Sequence, residues 1–145
     1  MQVTTTAFVV FLLLSSNNGA SQLADTRIDA PRTVVLPFYP NAARDTGRQG
    51  LFRVTVEIGE SGDVGAVRIR DSQTPRRSDV AFLEPSIVAS VSRWKYAVGG
   101  RRSVDVEFSF VLFDCDECPP KDLVTFDAPG QVTVRGYRKI VLIVD

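Results

Sequence analysis

From Ser103 to Phe110 polar and apolar residues alternate without a miss, and Leu112 keeps the period: Val104, Val106, Phe108, Phe110 and Leu112 stand against Ser103, Asp105, Glu107 and Ser109. A helix cannot gather such a set on one side, whereas a strand, with a side-chain period of two, puts all five on one face. A strand with one apolar face needs a cover, and the residues just before it supply one. Leu83, Ile87, Val91 and Trp94 recur at spacings of four, four and three, the stripe of an amphipathic helix. Glu84 falls at its N-cap and Pro85 at its first helical position, where a missing N–H is no loss, and Gly99-Gly100 ends it. Burying each stripe residue is worth roughly 1.5–3 kcal/mol, so Leu83–Phe113 predicts a helix laid on a half-buried strand.

The flanking sequence extends that unit. Leu51–Ile58 alternates Phe52, Val54, Val56 and Ile58 with Arg53, Thr55 and Glu57, a strand with one wet face. Gly59 to Asp63 is a hairpin turn with two glycines, and Val64–Asp71 returns with Val67 and Ile69 inward and Ala66, Arg68 and Arg70 outward. Ser72–Val80 is a polar loop whose Arg76-Arg77 lacks any glycine-rich phosphate cradle. Upstream, Pro40 opens a short helix closed by Gly47 or Gly50, and Phe38 and Tyr39 read either as a docking surface or as an aromatic plug of the core. The fold class is α+β, an antiparallel sheet with one helix packed on one face. Downstream, Val124-Thr125-Phe126, a turn at Asp127–Gly130, Val132–Arg135 and Ile140–Val144 read as two or three extra C-terminal strands. The last run is apolar throughout and so is expected to be buried on both faces or paired.

The chain has 145 residues, 17 basic and 17 acidic, and no histidine. That balance gives no field for nucleic acid. Without histidine the commonest general base, the usual metal ligand and any Ser-His or Cys-His pair are missing. No catalytic residue, metal site or cofactor is expected. Cys115 and Cys118 are the only cysteines; two thiols cannot complete a zinc site, and the flanking carboxylates oppose a thiolate. In an oxidising compartment they read as a small structural disulfide. Ala7–Leu14 is too short to span a bilayer and is followed by polar and small residues, so residues 1–21 read as a secretory signal peptide. A buried N-terminal strand is the alternative, since MQVTTT carries no basic side chain.

Together these features resemble the C-terminal domain of the TonB family, the periplasmic energy transducers of Gram-negative bacteria. The residues that carry the resemblance are Tyr39-Pro40 with Ala43, Gly47 and Gly50; the strand Phe52 to Val56; Gly62 with Val64; Arg68-Ile69 before Asp71-Ser72; Leu83, Val88, Val91 and Trp94, followed by Tyr96; and Val104 to Phe113 as the last family strand. The resulting division is a signal peptide at 1–21, a leader at 22–35, a TonB C-terminal-like domain at 36–113 and a β extension at 114–145. What the resemblance implies is a non-catalytic, periplasmic protein-binding module in energy-coupled outer-membrane transport. Its partner would be a polypeptide segment of an outer-membrane receptor or envelope protein, or a second copy, added as a strand to an exposed sheet edge. By the same carry-over Tyr39, Pro40, Val104, Val106, Phe108 and Phe110 are the contact candidates. No membrane span is expected in the mature form, and no proline-rich spacer or anchor to the inner membrane. The alternative is a structural or assembly domain of the cell envelope, with the edge covered by its own C-terminal strands.

Overall fold

The structure, a computed structural model, describes residues 29–141; the expected signal peptide and all but Ile140 and Val141 of the last apolar run lie outside them. In chain order come α1 (Asn41–Asp45), β1 (Gly50–Ile58), β2 (Val64–Gln73), α2 (Ser78–Val91), β3 (Arg102–Cys115), β4 (Leu123–Asp127) and β5 (Gln131–Lys139). The strands form one sheet in the order β2-β1-β3-β5-β4. α2, α1 and the leader in front of α1 cover one face, and the fold is α+β as the alternation predicts.

The core follows from the period-two pattern. Phe52, Val54, Val56 and Ile58 of β1 and Val106, Phe108 and Phe110 of β3 all point to the helix side and are buried. Leu83, Ile87 and Val91 of α2 descend on them, and Trp94 is fully enclosed between Phe108 and Phe126. The β1–β2 hairpin closes with Gly59 N–H to Asp63 O at 2.9 Å, and Gly62 takes φ +86° beneath the Tyr96 carbonyl. A side chain at Gly62 would have neither the backbone conformation nor the room.

Three expectations are corrected. First, α2 begins at Ser78 rather than at Pro85, which sits in the helix interior. Asp79 explains this: buried in the first turn, its carboxylate takes a 2.6 Å bond from Arg48 and draws Val80 and Leu83 into the apolar stripe. Pro85 faces solvent, so the carbonyl it cannot serve is left to water. Second, the helix ends at Val91, not at the glycine pair. Lys95 is needed in extended form, bridging Thr33 on one side and Asp63 on the other, and Tyr96 N–H donates to Gly62 O. Third, the sheet is mixed. β5 enters between β3 and β4 and runs parallel to β3, from Glu107↔Gln131 to Cys115↔Lys139.

The tail hairpin is inserted this way round because β5 carries the better inner face. Val132 and Val134 are buried, and Gly136 lies directly under the Tyr39 ring. β4, with five residues and a half-buried inner face, is left outermost. Ile140 and Val141, expected to be buried or paired on both faces, are exposed; Ile140 N–H still reaches Cys115 O at 3.2 Å.

Candidate functional site

A protein that binds by strand addition needs a line of unpaired main-chain N–H and C=O groups. The candidate site is therefore a margin of the sheet, and each margin can be judged from its residues.

β3, the expected margin, lies in the interior of the sheet. β1 pairs with it from Arg102 to Phe110 and β5 from Glu107 to Cys115. The open-edge expectation for Val104–Phe113 is thus corrected for Glu107–Phe110, which have a strand on each side; Val111–Cys115 pair with β5 alone. At the Glu107 end Gly130 O accepts from Glu107 N–H at 2.8 Å, and the tail turn packs over Asp105 and Val106. The side chains of Val106, Phe108 and Phe110 are in the core and Val104 is half-buried, so none of these four offers a docking surface. A period-two pattern tells which face of a strand is buried but carries no information about its flanks.

Tyr39 and Pro40 also serve the interior. Tyr39 is 1% exposed, stands edge-on to Phe110 at 5.6 Å and donates its hydroxyl to Arg48 O. Burial pushes its hydroxyl pKa well above the usual tyrosine range. Pro40 is the residue in front of α1 and half-buried. Of the two readings open for this aromatic segment, the plug describes Tyr39; Phe38 beside it is exposed.

The outer margins differ in kind. β2 is ten residues long but carries two bulges, at Gly65 and Arg70, where the register against β1 slips. Bulges and outward arginines are common devices for blunting an edge. β4 pairs residue for residue with β5, Leu123↔Arg135 through Asp127↔Gln131, without a slip. Its outer flank has no partner strand among the described residues. Leu123 on it is 46% exposed.

Polar side chains fasten this tail to the rest. Arg44 of α1 donates to Asp122 Oδ2 at 2.8 Å and to the carbonyls of Tyr39 and Tyr137, so one guanidinium joins α1, the approach to β4 and β5. Arg138 of β5 makes two bonds to the Asp114 carboxylate of β3, at 2.7 and 3.0 Å, which hold that carboxyl below its usual range. Cys115 and Cys118, at the end of the β3–β5 ladder, are joined by a disulfide with Cα atoms 5.3 Å apart. Among the described residues no group of three or more His, Cys, Asp or Glu side chains is placed to hold a metal ion. On the helix-free face a shallow depression is lined by Arg53, Arg70, Asp71, Asp105, Glu107 and Gln131. Its charges oppose each other, with Arg53 already 3.8 Å from Glu107, so it offers no unbalanced field.

The sequence model of the family described as "Gram-negative bacterial TonB protein C-terminal" matches residues 35–114, more than half of the chain. The chain belongs to that family. No curated protein matches it. The TonB C-terminal match runs from the leader through α1, β1, β2 and α2 to Asp114 near the end of β3, so the hairpin β4–β5 and the disulfide loop lie beyond it. The TonB C-terminal family is a periplasmic, transport-associated and non-enzymatic one whose members bind outer-membrane receptors. No helix of the described residues is long and apolar enough to cross a membrane. Sequence reasoning anticipated this family and missed the strand order. The signal for β4 was the short run Val124-Thr125-Phe126 between prolines; the signal for β5 beside β3 was Gly136, small enough to admit Tyr39.

Proposed function

We propose that the chain is an exported, non-catalytic TonB-like module that takes a polypeptide segment as an added strand in energy-coupled outer-membrane transport, and that the accepting margin is β4. The observation that carries this reading is the regular, slip-free β4, whose outer flank has no partner strand among the described residues, in a family whose members bind outer-membrane receptors. Main-chain hydrogen bonds would supply affinity, and the side chains on alternate positions of the incoming strand would supply selection. On this reading the earlier contact candidates act indirectly. Val106, Phe108 and Phe110 stiffen β3, and Tyr39-Pro40 seats Gly136 so that β5, and with it β4, is held in place. Export follows from the signal peptide at residues 1–21 and accords with a disulfide between Cys115 and Cys118.

One observation favours a second reading. β5 lies along β3 where the family's last strand would otherwise end the sheet. A domain so completed suits a structural or assembly role in the cell envelope, with no receptor at all. The two readings separate in a pull-down from cell envelope with the exported protein as bait, followed by hydrogen exchange with synthetic receptor segments. Recovery of outer-membrane receptors and new protection in Leu123–Asp127 is the expected result. Recovery of none beside a working positive control, and no change in β4, would remove the transport role and leave the assembly role.

A further inference from the structure

The stretch Asp29–Phe38 in front of α1 belongs to none of the five strands, yet its backbone is bonded along most of its length. Ser86, Ser90 and Trp94, four residues apart, form a row along α2 and the turn after it. Each turns a hydrogen-bonding group on that backbone. Ser86 Oγ accepts from Phe38 N–H at 3.2 Å and donates to Phe38 O, Ser90 Oγ donates to Val35 O, and Trp94 Nε1–H donates to the same carbonyl at 2.9 Å. The backbone of Lys95 continues the row. It donates to Thr33 O at 3.1 Å and accepts from Arg32 and Thr33 N–H at 2.6 and 3.2 Å. At the start of the stretch Arg102, the first residue of β3, donates to the Asp29 carboxylate.

Packing adds little to these bonds. Val34 and Val35 are half-buried against the core and Pro37 is buried, but Leu36 and Phe38 are exposed. A segment with few buried apolar contacts, bonded to side chains and one short bridge rather than to a ladder, opens at a lower free energy than the sheet beneath it. Trp94 links that opening to β4. Its ring stands edge-on to Phe126 at 5.6 Å, and Phe126 and Val124 are the half-buried inner face of β4. While the stretch is seated, the buried indole N–H has its acceptor in Val35 O. Once it lifts, that donor is orphaned, and the ring must turn away from Phe126 to find another partner.

We propose that Asp29–Phe38 is a strap whose closure sets the affinity of the β4 margin, with Trp94 as the positioning residue between them. Closed, it fixes the ring that backs Phe126 and keeps β4 in the form that takes an added strand; open, it releases both. This rests on β4 being the molecule's accepting margin. Linkage makes the coupling two-way: the factor by which closure tightens binding at β4 is the factor by which an occupied β4 suppresses opening of the strap.

The test is hydrogen exchange on the full chain, with and without the synthetic receptor-segment peptides, reading the Thr33 and Phe38 amides of the strap beside Leu123–Asp127. Two variants loosen the strap at different places: Ser86→Ala with Ser90→Ala, at the row on α2, and Asp29→Ala, at the start of β3. Urea unfolding establishes that each is folded. Each bond removed should speed strap exchange about fivefold. Both variants should bind the peptide at β4 several-fold more weakly, and in the wild-type chain the peptide should slow strap exchange by a matching factor. A merely structural role for the two serines would not produce that reciprocal slowing. Strap amides indifferent to the peptide while β4 is protected, or loosened variants that keep wild-type affinity, would overturn the proposal and leave the accepting margin standing. A wild-type chain whose β4 gains no protection would remove the accepting margin itself, and the strap's control of it as well.

Discussion

Arg44 is where the family part of the molecule holds its extension. Its bond to Asp122 is partly buried, with side chains 27% and 15% exposed, and removing either partner leaves the other charge short of a counterpart. Arg44→Ala or Asp122→Ala should cost about 1–3 kcal/mol of unfolding free energy, read by urea denaturation. Gly136→Ala should be as damaging for a different reason, since a Cβ there would stand 2.5 Å from the buried Tyr39 ring. Tyr96 gives a pH handle. Burial, aided by the nearby Asp29 carboxylate, pushes its hydroxyl up to about 12, and the folded state holds the proton more tightly than an unfolded chain with a tyrosine pKa of about 10. Stability from this group is therefore complete below pH ~10 and falls as pH rises toward ~12. Spectrophotometric titration should show a tyrosinate signal arriving late and together with unfolding; early titration of both Tyr39 and Tyr96 would contradict their burial.

At the scale of elements, Pro85 separates two accounts of α2. Placed at the start of the helix, as its neighbour Glu84 suggests in sequence, it would be harmless, and replacing it would gain nothing. Placed in the interior of Ser78–Val91 it removes a helical bond on the solvent side. Pro85→Ala should then raise stability by about 1–3 kcal/mol, measured by thermal or urea unfolding. The strands were legible because alternation in Phe52–Ile58 and Val104–Leu112 is a direct imprint of a two-sided sheet. The ends of α2 were not, because they are set by tertiary partners: Arg48 reaching Asp79 at one end, and Thr33 and Gly62 claiming Lys95 and Tyr96 at the other. No residue within the helix announces those partners.

In the whole molecule the decisive feature is strand order, and strand order is what an amino-acid pattern conveys least. Val132 and Val134 read correctly as strand residues, but nothing local says that their strand lies parallel to β3 rather than outside β4. The family match ends at residue 114, so the part of the chain that decides which edge is open is the part the family does not describe. With β5 in place β3 has a strand on each side over Glu107–Phe110, so the strand addition proposed above would fall at the periphery of the sheet. Hydrogen exchange of the protein, alone and with a receptor segment, tests this most directly. The account predicts that amides of Glu107–Phe110 are already among the slowest in the free protein and do not change, while Leu123–Asp127 exchange fast alone and slow on binding. Fast exchange in Glu107–Phe110 that slows when the segment is added, with β4 unaffected, would contradict it.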